Sequence, residues 1–329
     1  MFTKQQTSRR TSFSLTHEWV LLIVLVVLVI FLAIATGGRF IESSNLLHIV
    51  VSSAFLGIMA MGFLVVLVSG GIDISFMALA TVSQYIMVYV AINFGGNLIS
   101  TFLLGMAAGA ILGLINALLI YYLRAPSIIV TIATMNVFFG LLMWISRGVW
   151  LHGFPYWFRG HTPFAILAFP IGVLLFALLL TGFILNYTHM GRRIFAIGCN
   201  IEAARRMGVN VLATLIFVYV YMGIMASLAS GVQAYLVQNV APNAIIGREM
   251  EVIAIVVLGG ASLRGGRGSV GGTLFGLLLL TIIGNGMVLL GISSFYFNMF
   301  IGAVILISFC LTGIKSLRKR TAQKKDIVV

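Results

Sequence analysis

Between residues 98 and 123, and again between 212 and 236, the chain runs without a single charged side chain. Apolar runs of this kind recur at 20–36, 47–68, 76–94, 128–145, 164–187, 270–290 and 295–311, with a shorter one at 253–263. About twenty residues of helix span roughly 30 Å, the thickness of a bilayer's hydrocarbon core. No water-soluble core hides so many runs, in a chain that is 61% hydrophobic and 8% charged. In lipid each backbone polar group needs a partner inside the protein, which makes the runs helices. The sequence predicts an all-α polytopic membrane protein of about ten transmembrane helices. Its 36 glycines suit closely packed membrane helices. The first run ends Ala33-Ile34-Ala35 and could imitate a cleaved signal peptide, but nothing after it resembles a secreted domain.

Charge orients the runs. With the amino terminus inside, ten crossings place sixteen of the twenty basic residues in the cytoplasm. These are Lys4, Arg9 and Arg10, then Arg124, the four arginines of 188–211, Arg264 and Arg267, and six in the carboxyl tail. Arg39, Arg147, Arg159 and Arg248 fall outside. If 253–263 failed to cross, the balance would reverse, so the positive-inside rule selects ten crossings with both termini cytoplasmic. The division is a basic tail over 1–18, a membrane domain over 19–314 and a second basic tail over 315–329. The net charge of +13 thus follows from membrane orientation and calls for no nucleic acid. Cys199 and Cys310 are isolated thiols, neither a metal ligand set nor half of a disulfide.

The run 253–263 is eleven residues, about 16 Å of helix, and contains Gly259-Gly260. A similar interruption follows the second run, at Ser69-Gly70-Gly71-Ile72-Asp73-Ile74-Ser75. Short or broken helices in two inverted halves point to a transport path; glycine pairs that merely let helices pack are the alternative. Within this frame the candidate path residues are Asp73, Ser69, Asn116, Asn136, Gln233 and Asn285. Asp73 either meets solute or caps the helix that follows. The amides either contact a polar solute or bridge helices. Residues 146–163 carry Trp150, His152, Tyr156, Trp157, Arg159 and His161, a composition that suits a protein contact or an interfacial belt. Two histidines without a third ligand make no metal site. No phosphate-binding loop and no nucleophile–base grouping is present, so no enzyme activity is expected.

The longest polar interruption in the second half is 188–211. Within it Asn200 can cap a short helix over 201–207, with Gly208 closing it at the left-handed position. Ile201, Ala204 and Met207 share a face, and Glu202 can pair with Arg205 and Arg206. Such a helix is either a docking element or a basic loop that fixes orientation.

Taken in order, several strings resemble one family, the inner-membrane permease subunits of ribose-type ABC sugar importers. They are 68–75, Gly113-Leu114-Ile115-Asn116-Ala117, 125–131, 191–200, 203–208, Val256-Val257-Leu258-Gly259-Gly260, Gly265-Gly266-Arg267-Gly268 and Gly271-Gly272-Thr273, so the resemblance covers 45–315. It implies about ten helices in two inverted halves, and three partners: a second permease subunit, a cytosolic ABC ATPase and a periplasmic solute-binding protein. ATP would be bound by the ATPase, with no cofactor on this chain. The resemblance makes 188–211 the coupling segment that meets the ATPase, through Asn200, Ile201, Glu202, Ala204, Arg205, Arg206, Met207 and Gly208. Cys199 departs from the family's usual Gly there. The implied solutes are ribose, xylose, galactose, inositol or autoinducer-2. A branched-chain amino-acid permease, a proton-coupled secondary transporter using Asp73, and a structural scaffold are the competing readings.

Overall fold

The computed structural model describes residues 8–306 apart from 161 and 294. Cys310, His161, residues 1–7 and the tail 315–329 lie outside the described residues. Twelve α-helices follow in chain order among those described. They are α1 (Ser8–Ala35), α2 (Ser43–Val68), α3 (Phe76–Phe94), α4 (Leu98–Leu123), α5 (Ser127–Ser146), α6 (Pro163–Tyr187), α7 (His189–Cys199), α8 (Ile201–Arg206), α9 (Val211–Val237), α10 (Glu249–Leu258), α11 (Val270–Leu289) and α12 (Phe295–Leu306). Eight are long and apolar enough to cross a membrane, α10 and α12 are short apolar helices, and no strand is present among the described residues. The chain is an all-α polytopic membrane protein.

The run 253–263 lies in a stretch that passes from one end of the bundle to the other. Val240 pairs with Leu151, beyond the far end of α5, through N–H···O bonds of 2.9 and 3.2 Å. Twenty-six residues later, the Gly266 N–H donates to the Val68 carbonyl at 2.8 Å, at the opposite end of the bundle. The helix in this crossing is α10, ten residues and about 15 Å long. It begins at Glu249, ahead of the apolar run, and stops at Gly259; the non-helical stretch 238–248 supplies the remaining length.

Helices α2 and α9 are two of the three most buried spans, and they run antiparallel. The packing around them is an exchange: α2 lies against α10 and α11, while α9 lies against α3 and α4. Within each half, α3 neighbours α4 and α10 neighbours α11. The halves therefore correspond as α2 with α9, α3 with α10 and α4 with α11, in inverted sense. The tightest of these packings is α4 on α9. A Cβ on Gly109 would collide with the Gly223 carbonyl, and one on Gly223 with the Gly109 carbonyl. Only glycine lets two helix backbones approach so closely.

This correspondence corrects one reading of the sequence. The break after α2 does not match Gly259-Gly260, because both sit at one end of the bundle, where a Cβ on Gly265 would come within 2.5 Å of the Gly70 Cα. Its counterpart is the stretch after α9, residues 238–248.

Candidate functional site

The break 69–75 is held by side chains from three other helices. Ser127 Oγ, at the start of α5, accepts from the Ile72 N–H at 2.9 Å, and Thr131 Oγ1 accepts from the Ile74 N–H at 3.2 Å. Asp73 is fully buried, and its Oδ1 accepts from the Ser75 N–H at 2.7 Å and the Ser75 hydroxyl at 2.6 Å. Asn116 Nδ2, from α4, donates to Ser75 Oγ at 2.7 Å. A Cβ on Gly71 would stand 2.7 Å from the Tyr219 hydroxyl of α9, so the break has no room for a side chain there. Asp73 Oδ2 and Asn116 Oδ1 are buried without a hydrogen-bond partner among the described residues. Burial pushes the Asp73 carboxyl up to about 6, against the opposing pull of its Ser75 bonds.

Of the six path candidates, the structure brings together only Asp73 and Asn116, through Ser75. Ser69 bonds back to the Val66 carbonyl at 2.6 Å. Asn285 and Asn45 exchange amide bonds of 2.9 and 3.0 Å and bridge α11 to α2. Gln233 Oε1 is buried without a hydrogen-bond partner among the described residues. Asn136 stands exposed midway along α5, its amide donating only to the Ile132 carbonyl at 2.8 Å. Ser127, Thr131 and Tyr219 were missed as members of the cluster, as was the buried Gln84, whose amide donates to the Ser230 carbonyl at 2.7 Å. Hydroxyls inside apolar runs carry no spacing signal that separates them from helix back-bonding.

The segment 188–211 forms two helices rather than one. Thr188 caps α7, accepting from the Gly191 N–H at 3.1 Å. Asn200 caps α8, accepting from the Ala203 N–H at 3.0 Å, and Gly208 sits at φ 84°. Met207 falls just beyond the helix as its C-cap. Ala204 is turned inward, 3% exposed, against Ile197 and Val211, while Ile201 and Met207 are exposed. Glu202 and Arg205 pair at 3.3 Å on the open surface, and Arg206 is exposed beside them.

The end of α7 reaches the break. A Cβ on Gly198 would strike the Val68 carbonyl, and Gly70 packs against the Gly198 Cα. Gly266 completes the junction through its bond to Val68, with the Cys199 thiol 3.9 Å from its carbonyl. An exposed capped helix is thus joined, backbone to backbone, to the segment that carries Asp73. A push on α8 has a short, stiff route to α2 and α3.

A family model described as "Branched-chain amino acid transport system / permease component" matches residues 45–309. The ribose import permease protein RbsC of Bacillus subtilis (strain 168) is 35% identical over 298 residues, covering 89% of this chain and 91% of the relative. The RbsC of Escherichia coli (strain K12) is 31% identical over 316 residues, covering 93% and 97%. The autoinducer 2 import system permease protein LsrC of Yersinia pseudotuberculosis (serotype IB, strain PB1/+) is 32% identical over 278 residues, covering 84% and 78%. No solved structure matches.

Proposed function

The chain belongs to the branched-chain amino acid transport system / permease component family, and from that premise we propose that it is the membrane subunit of an ABC importer for a sugar or sugar-like solute of the ribose and autoinducer-2 class. The observation that carries this reading is the glycine junction linking exposed α8 to the break at Asp73. A passive path needs such a link if its free energy comes from a partner's ATP cycle. The ATPase meets Ile201 and Met207, with Arg205 and Arg206 at the rim of the contact, and a periplasmic binding protein delivers solute at the other end.

Both termini and α7–α8 are cytoplasmic in this proposal. The Ser269 hydroxyl donates to Glu18 at 3.1 Å, which supports it by holding the start of the first span at the end where α7 meets α2. A second permease subunit covers the face of α5 that carries Asn136 and Gly140. An amide halfway across a bilayer is poorly placed against lipid and well placed against a partner helix or a watery path. Asp73 acts through the turn it closes on Ser75, the residue that precedes α3, and Asn116 holds that turn through the Ser75 hydroxyl.

The test is reconstitution with the cognate ATPase and binding protein. The expected result is co-purification and solute-stimulated ATP hydrolysis, with uptake that survives an ionophore. Uptake abolished by ionophore but indifferent to ATP depletion would instead make Asp73 a titrating group in a secondary transporter.

A further inference from the structure

At the end of the bundle away from α7–α8, a cavity of about 320 Å³ opens between the start of α10 and α12. That volume is at the scale of small-molecule pockets. Its wall includes Gly247, Met250, Glu251, Asn298, Ile301 and Gly302. Glu251 is fixed from behind: Arg248 Nε donates to its Oε1 at 3.0 Å and Arg248 Nη2 to its Oε2 at 2.8 Å. The guanidinium in turn lies 5.2 Å from the centroid of the Phe55 ring on α2. A two-pronged pair of this kind is rigid and carries no net charge. Asn298 faces it from α12, exposed and without a hydrogen bond to any described residue. Gly302 has no atom within 4 Å of where a Cβ would stand, so the cavity has space beside it.

We propose that this cavity is a solute-recognition site of the permease itself, selective for a neutral, hydroxyl-rich molecule. The inference rests on the importer reading and deepens it, since the permease then screens solute independently of the binding protein. The chemistry follows from the lining. Glu251 keeps lone pairs that can accept from hydroxyls, and Asn298 both donates and accepts. Met250 and Ile301 supply apolar contact for the C–H face of a ring. The Arg248 partner cancels the carboxylate's charge, so neither anion nor cation gains from the site.

The test uses the full chain in proteoliposomes, carrying Cys199→Ser, Cys310→Ser and Gly302→Cys. The rate at which a small methanethiosulfonate modifies the new thiol is measured with and without millimolar D-ribose, D-galactose, myo-inositol or D-gluconate. At least one of the three neutral compounds is expected to slow labelling several-fold, while gluconate does not. Adding Asn298→Ala should remove the protection. A thiol that never reacts, no protection by any neutral compound, or equal protection by gluconate overturns the proposal. Loss of ATPase binding with protection intact would defeat the importer reading and leave this site standing.

Discussion

The two irregular segments that follow the central helices occupy equivalent places in the two halves and are built in opposite ways. Residues 69–75, after α2, are close-packed: Asp73 is fully buried, Gly71 faces Tyr219, and Gly70 meets Gly198 and Gly265 backbone to backbone. Residues 238–248, after α9, end at Arg248, whose partly buried pair with Glu251 borders a cavity, and Gly247 has no neighbour where a Cβ would stand. The first segment is packed by its neighbours even where Asp73 Oδ2 finds no partner among the described residues; the second lies beside a cavity walled by Glu251 of α10 and Asn298 of α12. Packing without slack transmits displacement, because interiors are too dense to absorb it. An open, polar-lined segment can accommodate a solute. The same position in an inverted repeat thus serves as a stiff joint at one end of the molecule and as a pocket at the other.

The largest expected effect strikes the stiff joint. Gly198→Ala places a methyl against the Val68 carbonyl, a backbone atom that cannot rotate away, and overpacking of this kind costs about 1–3 kcal/mol. Melting in detergent should shift down clearly and uptake should fall with it. Gly302→Ala, in open space, should leave the melting temperature unchanged or slightly raised. Equal effects at the two glycines would erase the contrast between the segments.

Next in size is Asp73. Asp73→Leu strands the Ser75 N–H, at about 1–3 kcal/mol for a buried unsatisfied donor, whereas Asp73→Asn keeps an acceptor there and should be milder. Because the folded carboxyl is raised from 3.8 to about 6, the folded chain holds the proton more tightly than the unfolded one. Its stabilisation is therefore full below pH 4 and is lost as pH climbs towards 6, with a magnitude on the order of 3 kcal/mol. Melting temperature against pH should fall through that window in the wild type and lose that component in Asp73→Asn. A flat wild-type profile would mean that the break is wetter than its packing indicates.

Much of this architecture was legible in the sequence. Charge-free runs reveal helices because lipid offers the backbone no other partner, and the Asn200 cap and Gly208 stop were readable because both act locally. What escaped was everything that depends on which helix lies opposite. Gly70 and Gly259 each precede another glycine, and nothing in either string says that they share one end of the bundle. Helix α7 was hidden by Gly191 and Gly198, residues that weaken a helix locally and are needed here for contacts with the α6 carbonyls and with Val68. Asn45 and Asn285 find each other 240 positions apart. Ala204 shares a helix face with Ile201 and Met207 by spacing, yet the fold turns it inward, because α7 and the start of α9 cover that side.

The inward Ala204 sharpens the third prediction. Ala204→Asp forces an unpaired carboxylate into the α7–α8 corner, so it should lower the stability of the chain itself as well as ATPase binding. Met207→Asp alters only an exposed side chain and should weaken ATPase pull-down while melting is unchanged. If the two variants behave alike in both measurements, α8 meets the ATPase through the side that packs on this chain, and the corner must open on docking.

The smallest effect belongs to the charges at the rim. Arg205 and Glu202 pair at 3.3 Å with more than half of each side chain exposed, and Arg206 stands exposed next to them. Exposed pairs contribute about 0–1 kcal/mol, so neither Glu202→Ala nor Arg206→Ala should move the melting temperature detectably. Rim charges act mainly on encounter and orientation with a partner of opposite sign. Arg206→Ala should therefore slow association with the ATPase a few-fold at low salt, and the difference should shrink as added salt shortens the screening length to about 8 Å near physiological ionic strength. A defect in Arg206→Ala that persists undiminished at high salt would place the guanidinium in a dry contact. The docking surface would then extend from the two exposed apolar side chains into the basic end of α8.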